Sequence, residues 1–387
     1  ILVVDNTFTF LEDLSIKKRN LFKGKVIGIT GSAGKTSLKE NLNFFLKIKF
    51  NVSASIKSYN NNLGVIISIL NMNINSNYAI FEIGTNNFHE IRKLTRLIKP
   101  SQIFITNILS THLQNFKNKK NIAIEKSDIF IKKYNPLAEI LYFQRISKYE
   151  KIIEEISKKQ KLNRIIQVGK TGLDCYIKNI KKIKSNYEIR FKILHKNFII
   201  LLNNYDESKV KNLIFVLSFF VVNKIDMKVV INNINKIPSV EGRGSSHNIL
   251  INNLKIKLID QSYNANPETM TQCIKDFSVI RNKGFLKILI LGEMNELGSN
   301  SLNFHYDVIY EVEKHLFDLV ILSGDFLKKA LSMFPELKNN YVYKNSSRSI
   351  MNYLSKNLHK KAILMAKSSN STEVNKFIKQ LKIKKEG

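Results

Sequence analysis

Tryptophan is absent from this chain of 387 residues, and cysteine occurs only twice. Two cysteines cannot build a disulfide framework, and Cys175 and Cys273 are too far apart for the short spacing of a zinc site. The small, stapled secreted classes are thereby excluded, both cysteines read as packing residues, and a reducing, cytoplasmic setting is expected. Proline occurs five times, which excludes a proline-rich extended chain. A long apolar run is missing as well. The longest, LIFVLSFFVV from Leu213 to Val222, is about half of the roughly 20 residues a membrane-spanning helix needs, and reads as a buried helix. The opening ILVVDNTFTF has no basic start and no small-residue cleavage site. Neither a signal peptide nor membrane insertion is expected.

Acidic residues are scarce relative to basic ones, 31 against 62, for a net charge of +31. Such a charge invites a polyanionic partner. The lysines are scattered, however, with no basic arm and no zinc-finger or RNA-recognition signature. Lysine, asparagine and isoleucine are inflated together, as biased codon usage produces. A nucleic-acid partner is therefore not expected, and an anionic small substrate accounts for part of the charge. With no coiled-coil heptads, a monomer is expected.

Short apolar, β-branched runs alternate with helical patterns along the chain. KVIGIT, YAIFEIG and QIFITNI occupy the first part, and KILILGEM, LVILSG and AILMAK the last. Continuous apolar strands separated by helices predict an α/β fold with parallel sheets covered on both faces. NKIPSVEGRGSSHN, around Pro238, reads as a domain boundary. The expected division is a linker at 1–24, a first domain at 25–237 and a second at 238–387.

The most informative turn follows KVIGIT. Strand ends at Thr30, GSAG turns, and KTSLKENLNFFL opens a helix. The backbone N–H groups of Gly31, Ser32, Ala33 and Gly34, with the helix N-terminus, form a cradle for phosphate oxygens. Lys35 is expected to reach the outer phosphates, with the Thr36 hydroxyl on Mg²⁺. The generic phosphate loop has glycine at position 29, where this chain has Ile29, so the loop is a variant. Glu82 stands at the end of a buried strand, where α/β folds place ligands and where a carboxylate can hold Mg²⁺. His112 follows another strand and is a candidate metal ligand. Lys126, between Glu125 and Asp128, reads on its own as part of a salt-bridged helix face. LIDQSYNANPETM and LILGEMNELGSNSLNFH offer amides, a tyrosine, Glu293, Glu296 and His305 at strand exits. These suit a base or a sugar, and are also ordinary turn chemistry.

In this order the stretches resemble the Mur ligases, ATP-dependent amide-forming enzymes of peptidoglycan synthesis. TGSAGKT, NNNLGV, FEIGTNNFHEI, TNILSTHLQNF, IAIEKSDIF, GRG, DQSYNANPETM and GEMNELG all fall in family order. YNANP paired with GEMNELG resembles the branch that joins D-alanyl-D-alanine to UDP-N-acetylmuramoyl-tripeptide. The resemblance implies a central ATP-binding domain at 25–237 and a Rossmann-like C-terminal domain at 238–387. It implies that Gly31 through Ser37 wrap the ATP phosphates and that Arg243, Asn264 and Asn266 approach the nucleotide. Lys35, Glu82, His112 and Lys126 would be the catalytic set. Thr36 and Glu82 would hold one Mg²⁺, and His112 with a carbamylated Lys126 a second.

Three features depart from the family. An N-terminal UDP-binding domain is not expected within this sequence, Gln261 replaces an acidic residue, and MAKSSNS lacks the arginine of the usual K-G-S-R. Two alternatives stand beside the leading one: a related ligase of folylpolyglutamate type, and a non-catalytic basic protein that binds nucleotide or nucleic acid.

Overall fold

Apolar runs too short for helices become strands buried on both faces. In the computed structural model, which describes residues 3–203, 205–280 and 284–383, they build two sheets, one in each of two compact units. The first unit comprises Ile1–Leu109 and Asn115–Ile237, the second Ser110–Gln114 and Pro238–Gly387.

The strands of the first unit are β1 (Lys25–Thr30), β2 (Val52–Ala54), β3 (Tyr78–Glu82), β4 (Gln102–Ile105), β5 (Ile140–Arg145), β6 (Arg164–Gly169), β7 (Cys175–Ile183), β8 (Asn186–Ile193) and β9 (Lys196–Leu202). They lie in the order β2-β3-β1-β4-β5-β6-β7-β8-β9. From β2 to β7 every pairing is parallel, whereas β7–β8 and β8–β9 are antiparallel. The sheet is therefore mixed, not wholly parallel as the apolar runs suggested. Residues 175–202 mix apolar with many basic and amide side chains, and much of β7 is exposed, as in a sheet with one wet face. Two-residue connections join these strands, with φ near +53° at Lys184 and Leu194. Helix Glu207–Val222, which carries the longest apolar run, packs on the sheet. Its Phe215 and Phe219 meet the stacked pair Phe104–Tyr142. Cys175 and Cys273 are both buried.

In the stretch read as a linker, helix α1 (Thr7–Leu21) is capped by Asn6. Its Arg19 donates to the carbonyls of Ile98 and Lys99 at 2.5 and 3.1 Å. These carbonyls close a helix running from Glu90 to Ile98.

The second unit holds β10 (Ser245–Ile251), β11 (Leu254–Gln261), β12 (Leu286–Gly292), β13 (Leu319–Ser323), β14 (Tyr341–Tyr343) and β15 (Ala362–Lys367). Their order is β10-β11-β15-β12-β13-β14, with β10–β11 antiparallel and the rest parallel. Apolar clusters cover both faces of this sheet. In each unit, neighbouring parallel strands deliver their following loops to one edge, the usual place for a ligand.

Candidate active site

The phosphate-loop turn is built around two glycines. Gly31 has φ +142°, and a Cβ there would lie 1.9 Å from Thr106 Oγ1. Gly34 has φ +80° and precedes the helix Lys35–Lys47. No side chain caps that helix, so its first-turn N–H groups suit an anion. The loop is pinned by the strand beside it. Asn107 Oδ1 accepts the Ala33 N–H at 2.9 Å, and Thr106 Oγ1 donates to Ala33 O at 2.6 Å. Ser32 Oγ accepts the Leu109 N–H at 3.0 Å. Lys35 Nζ donates to Gly31 O at 2.8 Å and thus lies over the turn. Ser37 follows in the first turn of the helix.

Thr36 and Glu82 meet at the floor of this loop. The Thr36 hydroxyl donates to Glu82 Oε2 at 2.6 Å, and Asn60 Nδ2 donates to Glu82 Oε1 at 2.7 Å. Ser58 Oγ lies 3.1 Å from Thr36 Oγ1. Glu82 is fully buried, and both of these partners are neutral. Asn60 and Ser58 were missed as site residues in the sequence. The only signal was the asparagine run that precedes the helix at Asn62–Leu70.

Lys126 is buried rather than part of a solvated helix face. Burial, followed by the nearby Lys35 charge, pushes its amine down to about 7, against a partial counter-effect from Glu125. Glu125 accepts the backbone N–H groups of His89 and Ile91 at 2.7 and 2.9 Å. It therefore clasps the start of helix Glu90–Ile98, a favourable place for a carboxylate. Asp128 is raised to about 6, first by burial and then by Glu125. His89 adopts φ +73°.

The remaining expected residues belong to the second unit. His112 has φ +51° and pairs through Nδ1 with Glu296 Oε2. Glu296, at φ +63°, also accepts the Gln114 N–H through its carbonyl at 3.1 Å. Glu268 takes the Ser110 hydroxyl at 2.9 Å and its N–H at 3.2 Å. Arg243 lies over the Tyr263 ring, 4.4 Å from its centre. Asn266 caps helix Pro267–Ser278 in a reciprocal box with Thr269. Asn264 offers its carbonyl to Lys367 Nζ at 2.5 Å. Lys367 is wholly buried, and burial lowers its amine below the ordinary lysine value. Glu293 accepts the Phe326 N–H at 2.6 Å, and His305 Nε2 accepts the Met294 N–H at 3.0 Å.

A variant phosphate loop with a buried carboxylate behind its threonine suits the phosphates of a nucleotide. Residues 29–219 match the Mur ligase middle domain, and over nearly its whole length the chain is similar to amide-forming ligases of that kind. It is 27% identical to the UDP-N-acetylmuramoyl-tripeptide–D-alanyl-D-alanine ligase of Rickettsia prowazekii, over 98% of this chain and 82% of that protein. Two crystal structures share its fold at 22% identity. MurF from Acinetobacter baumannii superposes with a TM-score of 0.84, over 98% of this chain and 81% of its own. MurF ligase from Thermotoga maritima, in complex with ADP, gives 0.82 over 100% and 86%.

Proposed function

We propose that the protein joins D-alanyl-D-alanine to UDP-N-acetylmuramoyl-tripeptide with hydrolysis of ATP to ADP and phosphate. The observation that carries this reading is the buried Thr36–Glu82 pair directly beneath the uncapped helix after Gly34. In this reading the N–H groups from Gly31 to Ser37 hold the ATP phosphates, and Lys35 leaves Gly31 O to reach their outer oxygens. Arg243, Asn264 and Asn266 are the second unit's candidates for binding the nucleotide.

Thr36 and Glu82 present a hydroxyl and a carboxylate oxygen 2.6 Å apart, a hard-oxygen donor set that fits Mg²⁺. Lys126 of the first unit and His112 of the second are each candidate ligands of a second ion. Lys126 fits that role through its depressed amine, because only the neutral form adds CO₂ to become an anionic carbamate. When bound, Mg²⁺ would neutralise phosphate charge.

The tripeptide carboxylate attacks the γ-phosphorus and ADP leaves, which gives an acyl phosphate. The dipeptide amine then attacks the acyl carbon, phosphate departs, and the amine loses a proton to give the amide. The protein aligns these groups and stabilises their charge. The setting is taken as cytoplasmic. No helix among the described residues is long and apolar enough to cross a membrane.

The test is phosphate release from ATP with the UDP-linked tripeptide, with and without D-alanyl-D-alanine. Release that requires both substrates is expected. Release that ignores the dipeptide, or needs a different amine, would replace this assignment.

A further inference from the structure

Lys39 lies one helical turn beyond Lys35, and its side chain is completely buried. Its Nζ donates to Ser55 O and Lys57 O at 2.5 Å each, and it meets Glu40 Oε1 at 2.7 Å. Three acceptors therefore meet the three N–H groups of one ammonium. Burying an ammonium is costly, and an apolar side chain would fill the same volume without that cost. The lysine must be explained by what it fastens.

It fastens the segment 55–60. Ser55 Oγ accepts the Glu82 N–H at 3.3 Å, Ser58 Oγ touches Thr36 Oγ1 at 3.1 Å, and Asn60 holds Glu82 Oε1 at 2.7 Å. Asn60 also gives its carbonyl to the Gly84 N–H at 2.9 Å. Three side chains of this one segment thus set the position of the Thr36–Glu82 pair. Between them the exposed Lys57 adopts φ +48°, a left-handed conformation that is uncommon for a residue with a Cβ.

We propose that Lys39 is a positioning residue. By clamping the carbonyls of Ser55 and Lys57 it pre-sets Ser58 and Asn60, and through them the oxygens of Thr36 and Glu82 for a magnesium nucleotide. The inference rests on the nucleotide site proposed above. Lys39 itself touches no phosphate; its effect travels through the segment.

The experiment measures the affinity of a fluorescent ATP analogue with Mg²⁺ and with EDTA, and takes the ratio. Lys39→Met is expected to reduce the Mg²⁺ enhancement threefold or more, while the affinity in EDTA stays within twofold of the unsubstituted protein. Lys39→Arg, which keeps the charge and donors, should recover part of the enhancement. A lysine that merely supported the fold would lower the amount of folded protein without moving this ratio.

An enhancement changed less than threefold in Lys39→Met overturns the proposal alone. An unsubstituted protein that binds no analogue overturns the nucleotide site and this role with it. If Lys39→Met does not fold, Lys57→Pro decides, since proline cannot take φ +48° and displaces the same segment from the surface. Loss of the enhancement there supports the proposal, and an unchanged ratio overturns it.

Discussion

Glu82 ends β3 in the first unit, and Asp260 stands one residue before the end of β11 in the second. Both carboxylates are buried, both belong to parallel pairings, and both precede a loop that leads to a helix. Their partners differ. Glu82 is held by two neutral donors, a threonine hydroxyl and an asparagine amide. Asp260 accepts the Ser262 N–H and hydroxyl at 2.9 and 2.7 Å and is paired with the Lys382 ammonium. A carboxylate held by neutral donors keeps its charge for a ligand. One matched to a cation is part of the scaffold. Position at a strand end is thus insufficient to mark a working residue, and the charge of its partners separates the two cases.

The sharpest way to break this comparison is to exchange the outcomes. Glu82→Ala is expected to cost roughly a thousandfold in ligation rate, as loss of a principal electrostatic contact does. Phosphate release measures it, and thermal unfolding should show the fold retained. Asp260→Ala should do the reverse and destabilise the second unit by roughly 3 kcal/mol, because the buried Ser262 donors lose their acceptor and Lys382 keeps only the exposed Glu241. Denaturant unfolding reads that cost. If Asp260→Ala were as stable as the parent but inactive, the two strand ends would be equivalent after all.

Lys126→Met sharpens the comparison at a smaller scale. It should abolish ligation yet stabilise the first unit by about 1 kcal/mol, since a desolvated amine is replaced by a fitting apolar chain. The sign with pH follows from the amine's depression to about 7. Between that value and the ordinary 10.5 the unfolded chain binds the extra proton, so the parent gains stability as pH rises through this window. The advantage of Lys126→Met should accordingly shrink from pH 7 to pH 10 in parallel urea titrations.

The smallest expected effect concerns His305, whose burial lowers its ring below the ordinary 6.5. Its contribution is complete above 6.5 and is lost as pH falls below it, because the unfolded chain then takes up the proton first. A drop of about 1 kcal/mol between pH 7.5 and 5.5 is expected, and His305→Phe should flatten it. A parent protein equally stable at both values would remove His305 from the scaffold group.

Much of this was legible in the sequence, and the parts that were not have physical reasons. Gly31, Gly34, Lys35 and Thr36 announce themselves because a tight turn, a close approach to Thr106 and a phosphate cradle admit few other residues. The buried parallel strands were visible as uninterrupted apolar runs. The antiparallel strands β7 to β9 were not, since charged and amide side chains interrupt their apolar residues. The burial of Glu125 and Lys126 was hidden for another reason. Opposite charges in succession look like wet helix surface, and only the fold shows the backbone N–H groups of His89 and Ile91 turned toward Glu125. Asn60 and Lys39 act on Glu82 across intervals that no spacing rule connects.

The change of strand direction at β7 also has a meaning in time. The pairings of β7 with β8 and of β8 with β9 close across two-residue turns, and hairpins of this kind form within about 1–10 μs. The pairing of β1 with β4 joins residues such as Ile27 and Gln102, which meet only after a long intervening segment has been gathered in. Contacts so distant along the chain are made slowly. During refolding of the full chain, the meander has its own backbone partners before the phosphate loop acquires the neighbouring strand that pins it.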